Sequence, residues 1–202
     1  MKRWWIAALI AGGSIAAVVG ADWGGSLGTS LPCRRNWGWL PSYSIRRSPT
    51  ESAVFRVGPA RVKVCYGSPR ARGRKMLGGA AVPFGRLWRT GANEPTTIRT
   101  SAPILVAGHR IVGKASLYTV PGPETWEVVL NRSTAQWGIE SAYDDGVRAQ
   151  EIGRTVLPAE TRPRYQDEFS IEAIGGPGEG SARLVLRWEN TEVQIPVEPA
   201  PD

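Results

Sequence analysis

From residue 53 onward the apolar side chains of this chain recur at every second position, and no stretch of ten residues carries an amphipathic helical period. Val62, Val64 and Tyr66 alternate with Arg61, Lys63 and Cys65; Trp126, Val128 and Leu130 with Glu127, Val129 and Asn131; Phe169, Ile171 and Ala173 with Ser170, Glu172 and Ile174. Successive side chains of a strand point to opposite faces, so this pattern makes strands with one buried face. Leu184, Leu186 and Trp188 are followed across Glu189 and Asn190 by Thr191, Val193, Ile195 and Val197, which reads as a hairpin. Shorter strand candidates lie at 54–57, 96–100, 104–106, 111–112, 116–120 and 152–157. With turns at Ala107-Gly108-His109, Pro121-Gly122-Pro123 and Gly175-Gly176-Pro177-Gly178, about ten short strands predict an all-β, antiparallel β-sandwich or barrel-like domain over 53–198, with 199–202 as a tail.

The N-terminal quarter is built differently. Met1, Lys2 and Arg3 precede an apolar run from Trp4 to Val19 that ends in the small residues Gly20 and Ala21, so 1–21 reads as an export signal or, uncleaved, as a membrane anchor. Residues 22–52 are rich in Gly, Pro, Trp and Arg, have neither apolar period, and read as an irregular tether. Trp23, Trp37 and Trp39 with Arg34 and Arg35 suit either a bilayer interface or a strap on the domain. Export places the chain in a periplasmic or extracellular setting, where Cys33 and Cys65 could pair. Cys65 also lies in a strand-like run where a buried thiol is equally stable, and both states stay open.

Charge is unevenly divided. Residues 1–100 hold 16 Lys or Arg against 3 Asp or Glu, and residues 101–202 hold 9 against 15. The two halves can neutralise each other across one fold, or present a face to an anionic partner. Export disfavours nucleic acid and leaves an envelope glycan, an anionic lipid surface or an acidic protein.

Chemistry has few places to reside. Gly24-Gly25-Ser26-Leu27-Gly28 has the letters of a nucleophile elbow but no strand before it or helix after it. His109 is the single histidine and sits in a turn, Asp144 and Asp145 lack calcium-loop spacing, and no metal or cofactor is expected. Asn131-Arg132-Ser133 is a sequon only in a glycosylating host. The stretch 66–97 stands out: Arg70, Arg72, Arg74, Lys75, Arg86 and Arg89 surround Glu94 as the lone acid. Within it Arg89 can fork onto a carboxylate or phosphate, Asn93 can donate and accept, and Glu94 can accept or act as a base. The same residues suit a structural knot in which Arg89 pairs with Glu94 while Trp88 enters the core. The expected binding set is Arg74, Arg89, Asn93, Glu94, Trp137 and Tyr143, with Glu94 and Arg89 as the catalytic candidates.

Several runs in a fixed order resemble one family: Tyr66-Gly67-Ser68-Pro69, Arg72-Gly73-Arg74-Lys75, Val82-Pro83-Phe84-Gly85, Trp88-Arg89-Thr90-Gly91-Ala92-Asn93-Glu94, Leu117-Tyr118-Thr119-Val120-Pro121, Gln136-Trp137-Gly138 and Leu186-Arg187-Trp188-Glu189. From about Val54 to Val197 the chain resembles the domain of unknown function 2911 of exported bacterial proteins. It departs where the family usually reads Gly-Thr-Tyr and this chain has Gly113-Lys114-Ala115, and where Pro95 replaces a small residue. The resemblance implies location and domain extent and brings no established activity. The expected function is a ligand- or partner-binding module of the cell envelope, with an envelope hydrolase using Glu94 and Arg89, or a scaffolding protein, as alternatives.

Overall fold

The computed structural model describes residues 29–30, 33, 47–176 and 180–201. The signal or anchor reading of 1–21, the elbow-like 24–28 and the tether residues Trp23, Arg34, Arg35, Trp37 and Trp39 lie outside them. The domain is all-β, as the alternation predicts. Nine antiparallel strands run β1 (Thr50–Val57), β2 (Ala60–Gly67), β3 (Thr96–Thr100), β4 (Ile104–Val106), β5 (His109–Ile111), β6 (Lys114–Pro121), β7 (Thr125–Asn131), β8 (Glu151–Gly175) and β9 (Ala182–Pro199). Their order across the sheet is β1-β2-β3-β6-β7-β8-β9-β4-β5.

The sheet folds over because β8 changes partner along its length. Residues 151–158 pair with β7, and those from Ala159 to Gly175 pair with β9, with register shifts at Thr161/Gln166 and Gln166/Ser170. The two layers are then stitched together away from β8's bend. The segment after β2 pairs with the middle of β8 through Ala71 N–H to Asp167 O (2.8 Å) and Phe169 N–H to Pro69 O (2.9 Å), and Gly58 N–H in the β1–β2 turn reaches Gly180 O (2.7 Å). Inside lie Val62, Val64, Ile98, Leu117, Val128, Leu130, Phe169, Leu184, Leu186, Ile195 and Val197, all fully buried or nearly so.

The C-terminal hairpin expected across Glu189 and Asn190 does not form. Residues 182–199 are one strand, and the β8–β9 connection lies instead at 176–181. The buried positions are even before the break (Leu184, Leu186, Trp188) and odd after it (Val193, Ile195, Val197). The change of parity falls at Glu189, which has φ of +52° and sits where the register with β8 breaks; the extra residues at that break lie on β8, which runs from Thr161 to Ser170 while β9 runs from Thr191 to Arg187, and both halves of β9 keep facing the core. The 152–157 and 169–174 candidates are likewise one strand, β8. Val112, expected in a strand, is 67% exposed just after β5. Cys33 and Cys65 are disulfide-bonded (S–S 2.06 Å), which settles the open choice at Cys65 and pins the tether to β2.

Glu189 also accepts the N–H groups of Met76 (2.9 Å) and Leu77 (2.9 Å) on its two carboxylate oxygens. Removing this acceptor strands two backbone donors. Glu189→Ala should therefore cost about 2 kcal/mol of unfolding free energy in urea titration, and Glu189→Gln, which keeps one acceptor, about half of that.

Candidate ligand-binding site

The long connection between β2 and β3 is held at its centre by Trp88. Its ring stacks on Trp188 (5.6 Å, 15°) and meets Trp126 (5.9 Å) and Phe169 (5.2 Å) edge to face, while its indole N–H donates to Gly91 O (3.1 Å). Backbone bonds in both directions tie Trp88 to Thr119 (2.7 and 2.9 Å), so the connection lies along β6. This is the core-entering Trp88 of the knot reading.

Glycines bring the next layer close. Ala92 N–H donates to Gly67 O, and a Cβ on Gly67 would run into the Ala92 carbonyl. A Cβ on Gly138 would run into Asn93 O and the Arg89 side chain. The runs Tyr66-Gly67-Ser68-Pro69, Trp88-Arg89-Thr90-Gly91-Ala92-Asn93-Glu94, Leu117-Tyr118-Thr119-Val120-Pro121, Gln136-Trp137-Gly138 and Leu186-Arg187-Trp188-Glu189 thus meet at one place. A model of a family described as a protein of unknown function, DUF2911, matches residues 48–197. The chain belongs to that family. No curated protein and no solved structure matches the chain.

In this DUF2911 domain, Arg89, Asn93, Glu94 and Gln136-Trp137-Gly138 are brought together. Arg89 is half-buried, and its Nη1 donates to Asn93 O (3.1 Å). Burial pushes its guanidinium below the usual arginine range, against the Tyr118 and Glu94 groups that raise it. Asn93 adopts φ of +67°, and its amide donates to Ser48 O (3.4 Å). The Oε1 atom of Glu94 is shut off from solvent. Trp137 is half-buried.

Tyr118, Gln136, Asn131 and Glu151 are the residues that reading the sequence for sites missed. Gln136 Nε2 donates to the Tyr118 hydroxyl (2.8 Å), and burial pushes that phenol up to about 12 despite the Gln136 hydrogen bond and the Arg89 charge. Tyr143, 5% exposed, packs its ring edge to face on Tyr118 (4.8 Å), accepts from Asn131 Nδ2 (3.0 Å) and donates to Glu151 Oε1 (2.7 Å). Its phenol is raised, chiefly by burial. Tyr143 therefore supports the site through Tyr118 and is spent on internal bonds. Arg74 is exposed and closes its own turn onto Ala71 O (3.0 Å) and Arg70 O (3.2 Å). His109 is held against β8 by Arg154 O (3.2 Å) and Thr155 Oγ1 (3.0 Å).

Two outcomes follow. Gly138→Ala drives a methyl group into Asn93 O and the Arg89 side chain and should cost about 2 kcal/mol with the fold retained, read by urea unfolding and tryptophan emission. The Arg154 hydrogen bonds hold the Glu151 carboxyl below the usual carboxylate range, outweighing the opposing effect of burial. A lowered folded value means stability fully present above the unfolded carboxylate range and lost as pH falls from there through the lowered folded value. Glu151→Gln should cost about 1–2 kcal/mol at neutral pH, with the difference from wild type shrinking below about pH 4.

Proposed function

We propose that this domain is a binding module of the exported envelope that takes an acidic ligand, of carbohydrate type, on Arg89 beside Asn93, Glu94 and Trp137. The observation that carries this reading is the state of Arg89. A guanidinium has five N–H donors; at half-buried Arg89 one of them is engaged among the described residues, by a backbone carbonyl. Buried cationic donors cost free energy unless they meet an acceptor, and the planar fork of arginine matches a carboxylate. Trp137 supplies an aromatic surface of the sort on which sugar rings stack. The Cys33–Cys65 disulfide supports an oxidising compartment and hence export.

The test is thermal unfolding of the whole chain against a panel of uronic-acid oligosaccharides and their neutral counterparts. The acidic members should raise Tm and the neutral ones should not. Arg89→Met should abolish the shift while leaving the unliganded Tm within a few degrees, because the half-buried charge is held at a cost to the fold. A fall in stability of about 3 kcal/mol or more in Arg89→Met, with no ligand shift in wild type, would identify Arg89 as a structural strut and end the proposal.

A further inference from the structure

A cleft of about 490 Å³ opens where the start of β1 and the end of β2 meet the middle of β8, and no residue of the Arg89 site lines it. Its wall holds Glu51, Glu168 and Glu172 around the phenol of Tyr66, with no lysine, arginine or histidine. Glu51 stands directly opposite Tyr66 in the β1–β2 register, and opposed side chains share a face of the sheet. Tyr66 is fixed from behind, because its ring meets Phe169 edge to face in the core (5.8 Å). Ser68 holds the Glu168 side of the cleft, its hydroxyl within hydrogen-bond distance of Phe169 O (2.6 Å) and Glu168 Oε1 (3.1 Å). Clefts that bind small molecules run from about 300 to 1,000 Å³, so this one has room for a ligand the size of a sugar.

Two requirements of this cleft are not met inside the fold. Tyr66 is 7% exposed and its hydroxyl accepts from the Ile171 N–H, but among the described residues no acceptor takes the phenol's own proton. A buried donor without an acceptor costs free energy. Burial raises this phenol against the effect of the Ile171 bond, and the charges of Glu51, Glu172 and Glu168 raise it further, so it stays a donor at neutral pH. The second requirement is charge. Arg70 meets Glu168 (2.7 Å), and Arg187 meets Glu172 (2.6 Å) while it is shared with Glu192 (2.7 Å). Among the described residues no ion pair reaches Glu51, which is exposed, as is Glu172. A ligand that answers both needs carries a cation for the carboxylates and an oxygen acceptor for Tyr66. A polyamine offers the first alone and a neutral sugar the second alone, whereas a protonated amino sugar offers both.

We propose that the Tyr66 cleft binds a protonated amino sugar, with the ammonium toward the Glu51 and Glu172 carboxylates and a sugar oxygen accepting from the Tyr66 hydroxyl. Charge then selects at the exposed mouth, and the hydroxyl selects inside. The inference is independent of the Arg89 site, which uses other residues and takes the opposite charge.

The experiment is titration calorimetry of the full chain in non-ionic detergent with a β-1,4-linked glucosamine tetramer and its fully N-acetylated counterpart. At about pH 6 the free amines are charged and the carboxylates are ionised, and the two tetramers then differ by the ammonium groups. Wild type should bind the glucosamine tetramer about fivefold more tightly or better. Tyr66→Phe keeps the ring contact with Phe169 and removes the donor, so affinity should fall about fivefold while the urea midpoint holds or rises. Glu51→Gln should weaken the glucosamine tetramer about threefold and narrow its preference over the N-acetylated form. Arg89→Met should change neither number, which keeps this test apart from that of the Arg89 site. Equal affinity for the two tetramers, no heat from the glucosamine tetramer, or binding untouched by both Tyr66→Phe and Glu51→Gln would overturn the inference. So would a lysine-rich peptide that binds wild type and Tyr66→Phe as tightly as the tetramer binds wild type, since carboxylates alone would then explain the site.

Discussion

The stack of Trp88 on Trp188 is the contact on which the rest of the molecule depends. It joins a residue of the irregular β2–β3 connection to a residue of the last strand, in the middle of a core shared with Trp126 and Phe169. Aromatic groups of this size dominate core energetics, so a connection with little regular secondary structure gains the anchorage of a strand. Everything beyond Trp88 inherits that fixed position. The bond from its indole N–H to Gly91 sets the turn, the turn sets Asn93 in its left-handed conformation, and Asn93 O receives Arg89. Glu189, one residue after Trp188, holds the same connection at Met76 and Leu77. Two adjacent residues of β9 thus fasten the β2–β3 connection at two points.

Much of the architecture could be read from alternation alone, because a period of two reports directly which face is buried. It failed where parity changed. Even-numbered apolar residues followed by odd-numbered ones have two explanations, a turn that reverses the chain or a break in register within one strand, and both place every apolar group inside. Glu189 and Asn190 look like a turn in composition, yet the decision depends on β8, a partner 20 or so residues away whose own bend at 161–170 needs a strand long enough to serve both layers. Strand pairing is a tertiary fact, and single-strand periodicity carries no record of it.

The candidate site divided along the same line. Arg89, Asn93 and Glu94 were legible because they sit within one turn, and local sequence contains that proximity. Tyr143 and Arg74 were chosen for residue type, and the structure spends both on internal bonds. Tyr118 and Gln136 were visible as motif letters but gave no sign of meeting. They lie 18 residues apart, and only the loop over the outer face of β6 and β7 brings the amide to the phenol. That loop buries a second small apolar cluster of Tyr118, Val129, Tyr143 and Val147 on the sheet's outer side, so the site rests against a floor with its own packing.

Charge follows the topology as well. The N-terminal half of the chain is strongly basic and the C-terminal half acidic, and a fold that pairs β2's extension with β8 brings Arg70 onto Glu168 across 98 residues. Neutralisation of that kind works only where the two halves touch. The outward positions of β1, β2, β3 and β6 include Arg56, Arg61, Lys63, Arg99 and Lys114, and the first acid at an outward position in strand order among the described residues is Glu127 on β7, paired with Arg154 (2.7 Å). The order of strands, more than the composition of any one of them, therefore decides which charges lie beside one another. With β4 and β5 placed beside β9, β3 pairs with β6, and that pairing is what sets Arg99 opposite Lys114.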